Sequence, residues 1–123
     1  MARKTPKFGS IAWHDLTVKD ADSVAAFYRK VLGWRSKKFE GDFNMFAGKD
    51  ATPVAGVCHA TGANATLPPQ WLAYVLVQDL DKCLAQTKKH GGTIVVGPRE
   101  LGTARMAVIR DPAGAYLALF FPG

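Results

Sequence analysis

The 123-residue sequence predicts an α+β fold of two tandem βαβββ modules, and three observations predict it. First, the chain repeats itself. Residues 13–34, WHDLTVKDADSVAAFYRKVLGW, resemble residues 72–93, LAYVLVQDLDKCLAQTKKHGGT, at a constant offset of 59, so that Asp20 matches Asp79, Asp22 matches Asp81 and Gly33 matches Gly92. Second, each copy opens with an alternating apolar run and passes into a helical stripe. Third, each helix is followed by three short apolar runs broken by turn residues.

The elements follow in order. In the first copy Ala12, His14, Leu16 and Val18 alternate along one face of a strand, and in the second Ala73, Val75 and Val77 do the same. Asp20 and Asp79 stand at the helix N-caps, where a short carboxylate accepts from unpaired amides of the first turn. The first helix is expected to bury Val24, Phe27, Val31 and Leu32 and to stop at Gly33. The second carries a thinner stripe, Leu80, Cys83, Leu84 and Thr87, and ends at Gly91 and Gly92. The remaining strands are WRSKKF, FNMFAG and VAGVCHA in the first half and TIVVG, ARMAVIR and AYLALFF in the second, with GKDATP and DPAG as turns. The whole reads as a single domain, with module one at 9–60, a Pro- and Gly-containing linker at 61–70 and module two at 71–122.

Composition narrows the function classes. A 48% apolar and 21% charged chain is an ordinary globular one, long enough to bury roughly two-thirds of its unfolded surface. Of the net charge of +6, three units come from Arg3, Lys4 and Lys7, in a terminal segment expected in solvent. The other basic residues fall on expected helix surfaces and loops without any nucleic-acid motif, so a solvated face is the simpler reading. Two cysteines, Cys58 and Cys83, suit a reducing compartment. No apolar run reaches signal-peptide or membrane-span length. A cytoplasmic protein with no nucleic-acid or membrane partner is expected.

The tandem modules, with DLTVKDADSVAAFYRKVLGW in the first and VQDLDKCLAQTKKHGG and RMAVIRDPAGAYLALF in the second, resemble the vicinal oxygen chelate superfamily, the glyoxalase, bleomycin-resistance and extradiol dioxygenase group, over residues 9–122. The resemblance implies a cavity lined by curled strands, frequent homodimers and, in the metalloenzymes, a divalent ion held by one residue on the first and one on the last strand of each module. Counted from Asp20, Asp79 and Asp111, three of those positions fall at Trp13, Leu72 and Ala118, and the offset of 59 puts the fourth at His59. An ion held by protein needs about three converging N, O or S donors. His59 is a lone candidate. Cys58 beside it should point to the opposite face unless a bulge intervenes, and His14 should pack beneath a helix or near an edge. No metal and no other cofactor is therefore expected.

The face shared with Trp13 also carries Asp15 and Thr17. Its counterparts in the second module are Leu72, Tyr74 and Leu76 on the first strand and Tyr116, Ala118 and Phe120 on the last. The candidate ligand-binding residues are thus Trp13, Asp15, Tyr74, Tyr116, Phe120 and Arg105, the last offered to an anionic group or as a partner for Asp15; Arg110 reads as structural. Phe43, Met45 and Phe46 could extend the lining. Side chains merely filling a small barrel would give the same pattern.

Three functions compete. One is metal-free binding of a small, partly aromatic molecule, which the lining favours. Another is a glyoxalase-like lyase or isomerase, or a dioxygenase-type enzyme, with a non-standard metal site around His59 or with Asp15 and Tyr74 as acid and base. The third is an interaction module acting through its dimer surface. No nucleophile elbow or phosphate loop is present.

Overall fold

The computed structural model describes residues 6–123; Arg3 and Lys4 of the expected solvated tail lie outside them. The elements are β1 (Ile11–Val18), α1 (Ala21–Leu32), β2 (Arg35–Phe39), β3 (Asp42–Phe46), β4 (Ala55–His59), a single 3-10 turn (Gly62–Asn64), β5 (Trp71–Leu76), α2 (Leu80–Lys89), β6 (Thr93–Leu101), β7 (Ala104–Arg110) and β8 (Tyr116–Phe121). Strand, helix and three strands occur twice, as the repeat requires.

The chain forms two compact units, residues 13–71 and residues 72–123 together with the described residues 6–12. Residues 9–12, read from the sequence as the start of module one, go with the other unit. The Gly9 N–H donates to the Leu76 carbonyl at 2.7 Å, and the Leu76 N–H donates to the Ser10 carbonyl at 3.0 Å.

In the first unit the strands run in the order β2, β3, β4, β1, with β1 and β4 parallel and the other pairs antiparallel. Asp20 caps α1 by accepting from the Ser23 N–H at 3.1 Å, and Gly33 closes it at φ 70°. The face that α1 buries is not the expected one. Ala21 and Ala25 are fully buried with Phe43, Met45 and Val57, and Val24 and Tyr28 pack beside them. Phe27, Val31 and Leu32 are more than half exposed. The buried stripe is 21, 24, 25 and 28, in which two alanines let the helix backbone lie close to the sheet. Phe43 and Met45 accordingly belong to the core under the helix.

The second unit has the order β5, β8, β7, β6, with β5 and β8 parallel. Asp79 caps α2 by accepting from the Lys82 N–H at 3.0 Å. Leu80 and Leu84 are buried against Val77, Ala107 and Leu119, with Cys83 beside them. The predicted stripe is the buried one, and it ends at His90 just ahead of Gly91, which takes φ 90°. Among the described residues no helix is long and apolar enough to cross a membrane.

Candidate functional site

Strand parity gives each unit one face under its helix and one free of it. In the first unit Val18 and Val57 pack against α1, so their neighbours Thr17, Gly56 and Cys58 face the other way. In the second, Val75, Leu117, Leu119 and Phe121 pack under α2, which leaves Tyr74, Leu76, Tyr116, Ala118 and Phe120 on the helix-free face.

On the helix-free face of the first unit the Trp13 indole N–H donates to Asp15 Oδ1 at 2.7 Å. Asp15 is paired in register with Gly56 across the parallel strands. A β-carbon at residue 56 would overlap the Asp15 carboxylate and touch the Trp13 ring, so the absence of a side chain there is what lets the carboxylate lie flat on the sheet. The Cys58 thiol, next along the same face, is pushed far above its ordinary pKa by burial, with the charges of Asp15 and Asp42 adding to the effect. It stays protonated and hydrogen-bonded to those two carboxylates, a poor nucleophile and a poor metal ligand. Phe46 also belongs to this face, beneath the Arg35 guanidinium at 5.3 Å.

His59 points elsewhere. Its Nδ1 lies 3.1 Å from Asp42 Oδ1 and its Nε2 3.5 Å from Asp22 Oδ2, in the first turn of α1. The Asp42 hydrogen bond, helped by Asp22, raises its pKa above the ordinary value. The strand register also corrects its assignment. Ala118 pairs with Tyr74, and the residue that pairs in the same way with Asp15, the repeat mate of Tyr74, is Gly56. Gly56, three residues before His59, is the counterpart of Ala118. His14 lies at a small cavity of about 280 Å³ lined also by Trp34, Val54, Ala55 and Trp71.

In the second unit Tyr116 lies on the helix-free face beneath the Arg110 guanidinium, 5.5 Å from its ring centroid. Arg105, too, lies away from where the sequence reading puts it. It pairs in register with Phe121 on the α2 side and donates two hydrogen bonds to Asp81, both at 3.1 Å, and one to Glu100 at 3.0 Å. With two carboxylates engaged and the wrong face presented, it is no ligand-binding group on the face of Tyr74 and Phe120. Arg99 stands on that face instead. It pairs in register with Met106 and its Nε donates to the Met106 sulfur at 3.3 Å.

A family model of the Glyoxalase/Bleomycin resistance protein/Dioxygenase superfamily matches residues 8–119. The chain belongs to this superfamily. Its relatives include the anthracycline biosynthesis protein DnrV of Streptomyces peucetius, 31% identical over all of this chain and 50% of that protein, and DauV of Streptomyces sp. strain C5, 30% identical with the same coverage. The chain spans about half the length of these relatives. Among solved structures, methylmalonyl-CoA epimerase from Mycobacterium tuberculosis shares the fold, with a TM-score of 0.52 and 18% identity over 89% of this chain and 85% of that one.

The metal associated with the superfamily finds no donor at the expected ligand positions of either unit. Trp13 and Leu72 stand at the two first-strand positions, and Gly56 and Ala118 at the two last-strand ones. None of the four side chains offers a lone pair suited to a divalent ion. Among the described residues no three His, Cys, Asp or Glu side chains are grouped to hold a metal ion.

Proposed function

We propose that this superfamily member binds a small, partly aromatic molecule and needs no resident metal to do so. The observation that carries the reading is the replacement of all four ligand positions by Trp13, Gly56, Leu72 and Ala118. In the first unit Trp13 offers a ring beside a carboxylate that it orients, suited to a hydrogen-bond donor or a cation on the ligand. In the second, Tyr74, Tyr116 and Phe120 offer ring surface on one face. Apolar, aromatic surface with few polar groups is the usual make-up of small-molecule sites. The names of DnrV and DauV make anthracyclines, which are planar aromatic compounds, a fitting first class to test. Acid–base chemistry by Asp15 or Tyr74 would come second, since it requires a bound substrate.

The free thiols of Cys58 and Cys83 suit the reducing cytoplasm. The exposed Phe27, Val31 and Leu32 on α1 suit contact with a second copy of the chain.

The test is a thermal-shift screen of anthracyclines and smaller aromatic metabolites, with and without a chelator. A ligand present at a hundredfold excess over its Kd adds about 2.7 kcal/mol of stability. Stabilisation that survives chelation and falls on Trp13→Ala is expected. A panel in which no compound stabilises the protein, or in which chelation abolishes every effect, would refute the reading.

A further inference from the structure

We propose that Arg99 binds an anionic group on the ligand, which makes that ligand an aromatic carboxylate; the inference rests on the small-molecule reading above and names its chemical class. Across the helix-free face of the second unit the register sets Arg99, Met106, Phe120 and Leu76 in one row. A parallel row holds Val96, Val108, Ala118 and Tyr74. Strands lie about 4.8 Å apart, so the backbone of Arg99 is about 10 Å from that of Phe120. A ring lying over Phe120 would bring an attached carboxylate within reach of the guanidinium.

The surroundings of Arg99 call for an acceptor. It is half-buried, and Met106 beneath it is 1% exposed. Its hydrogen bond goes to a thioether sulfur, a weak acceptor. The ion pairs among the described residues involve Arg105 and His59, and none involves Arg99. A guanidinium has five N–H donors in a planar fork that matches a carboxylate. Its nearest acidic neighbour in sequence, Glu100, is turned to the other face by its bond to Arg105. The row therefore presents the partly exposed Phe120 and Leu76 on one side of the buried Met106 and, on the other, a cation with donors to spare.

The experiment is isothermal titration with 2-naphthoate and 2-naphthamide, which share a ring system and differ in charge. The wild-type protein should bind naphthoate about tenfold tighter, the scale of one charge-assisted hydrogen bond. Arg99→Gln should bring the two affinities together, Arg99→Lys should keep part of the preference, and Arg105→Gln, on the opposite face, should keep all of it. Near-UV circular dichroism of each variant confirms that it is folded. Equal wild-type affinities, or a preference that survives Arg99→Gln, would overturn the assignment. If neither naphthyl compound binds while other neutral aromatics do, Arg99 is wrong and the small-molecule reading stands; if no aromatic compound binds, both fall together.

Discussion

The Trp13 indole N–H donates to Asp15 Oδ1 at 2.7 Å, two residues along the same strand, and holds that carboxylate over Gly56 in space that a β-carbon would need. The three residues form one packing unit. Gly56→Ala should therefore force the carboxylate or the strand aside and destabilise the fold by about 1–3 kcal/mol, the usual cost of overpacking. The double variant Asp15→Ala with Gly56→Ala should recover most of that loss. Urea denaturation of both single variants and the double variant measures the coupling, and costs that simply add would show that the two groups do not compete for space.

Protein purified without added ions should carry no zinc, nickel, manganese or iron near one atom per chain by elemental analysis. Neither its melting temperature nor its affinity for a confirmed ligand should move on dialysis against a chelator. The reason is chemical: an indole, an isobutyl group, a methyl group and a hydrogen occupy the four positions. One tightly held ion per chain would contradict the argument.

The parts legible in the sequence are those written in local signals. The caps at Asp20 and Asp79 and the left-handed Gly33 act over a few residues and read correctly. What went astray depends on tertiary context. On α1 two stripes overlap at helical spacing, and the one with the larger side chains lost to the one with Ala21 and Ala25, because close approach to the sheet favours small residues. His59 was misassigned because the repeat offset holds through the helices and fails in the later strands, where the second unit has three more residues. Arg99 was missed because the sequence reading stops this strand at Gly97, ahead of Pro98, whereas β6 runs on to Leu101; the register shifts on both sides of Val96 flip the parity twice and so return Arg99 to the face of Thr93.

His59 should titrate above its ordinary value of 6.5, because the Asp42 hydrogen bond and, behind it, Asp22 favour the imidazolium. A folded-state pKa above the unfolded one gives stability that is fully present below about pH 6.5 and is lost as pH rises through the folded midpoint. NMR titration of the ring protons should show the raised midpoint, and Asp42→Asn should bring it down toward 6.5. His59→Gln should flatten the stability profile across that window. An unshifted midpoint in the wild type would show that the contact is not kept in solution.

The helix faces make opposite predictions for neighbouring residues. Ala25 is fully buried against Phe43, Met45 and Val57, so Ala25→Leu should cost about 1–3 kcal/mol through overpacking. Phe27, 55% exposed and in edge-to-face contact with Tyr28 at 5.1 Å, should tolerate Phe27→Ser within about 0.5 kcal/mol in dilute monomeric protein. Denaturant unfolding at low and high protein concentration separates this from association. If a second copy covers Phe27, Val31 and Leu32, the Phe27→Ser loss should grow with concentration as the wild type dimerises, and sedimentation should show a weakened dimer. A Phe27→Ser cost that exceeds the Ala25→Leu cost at every concentration would mean that α1 is rotated from the orientation described.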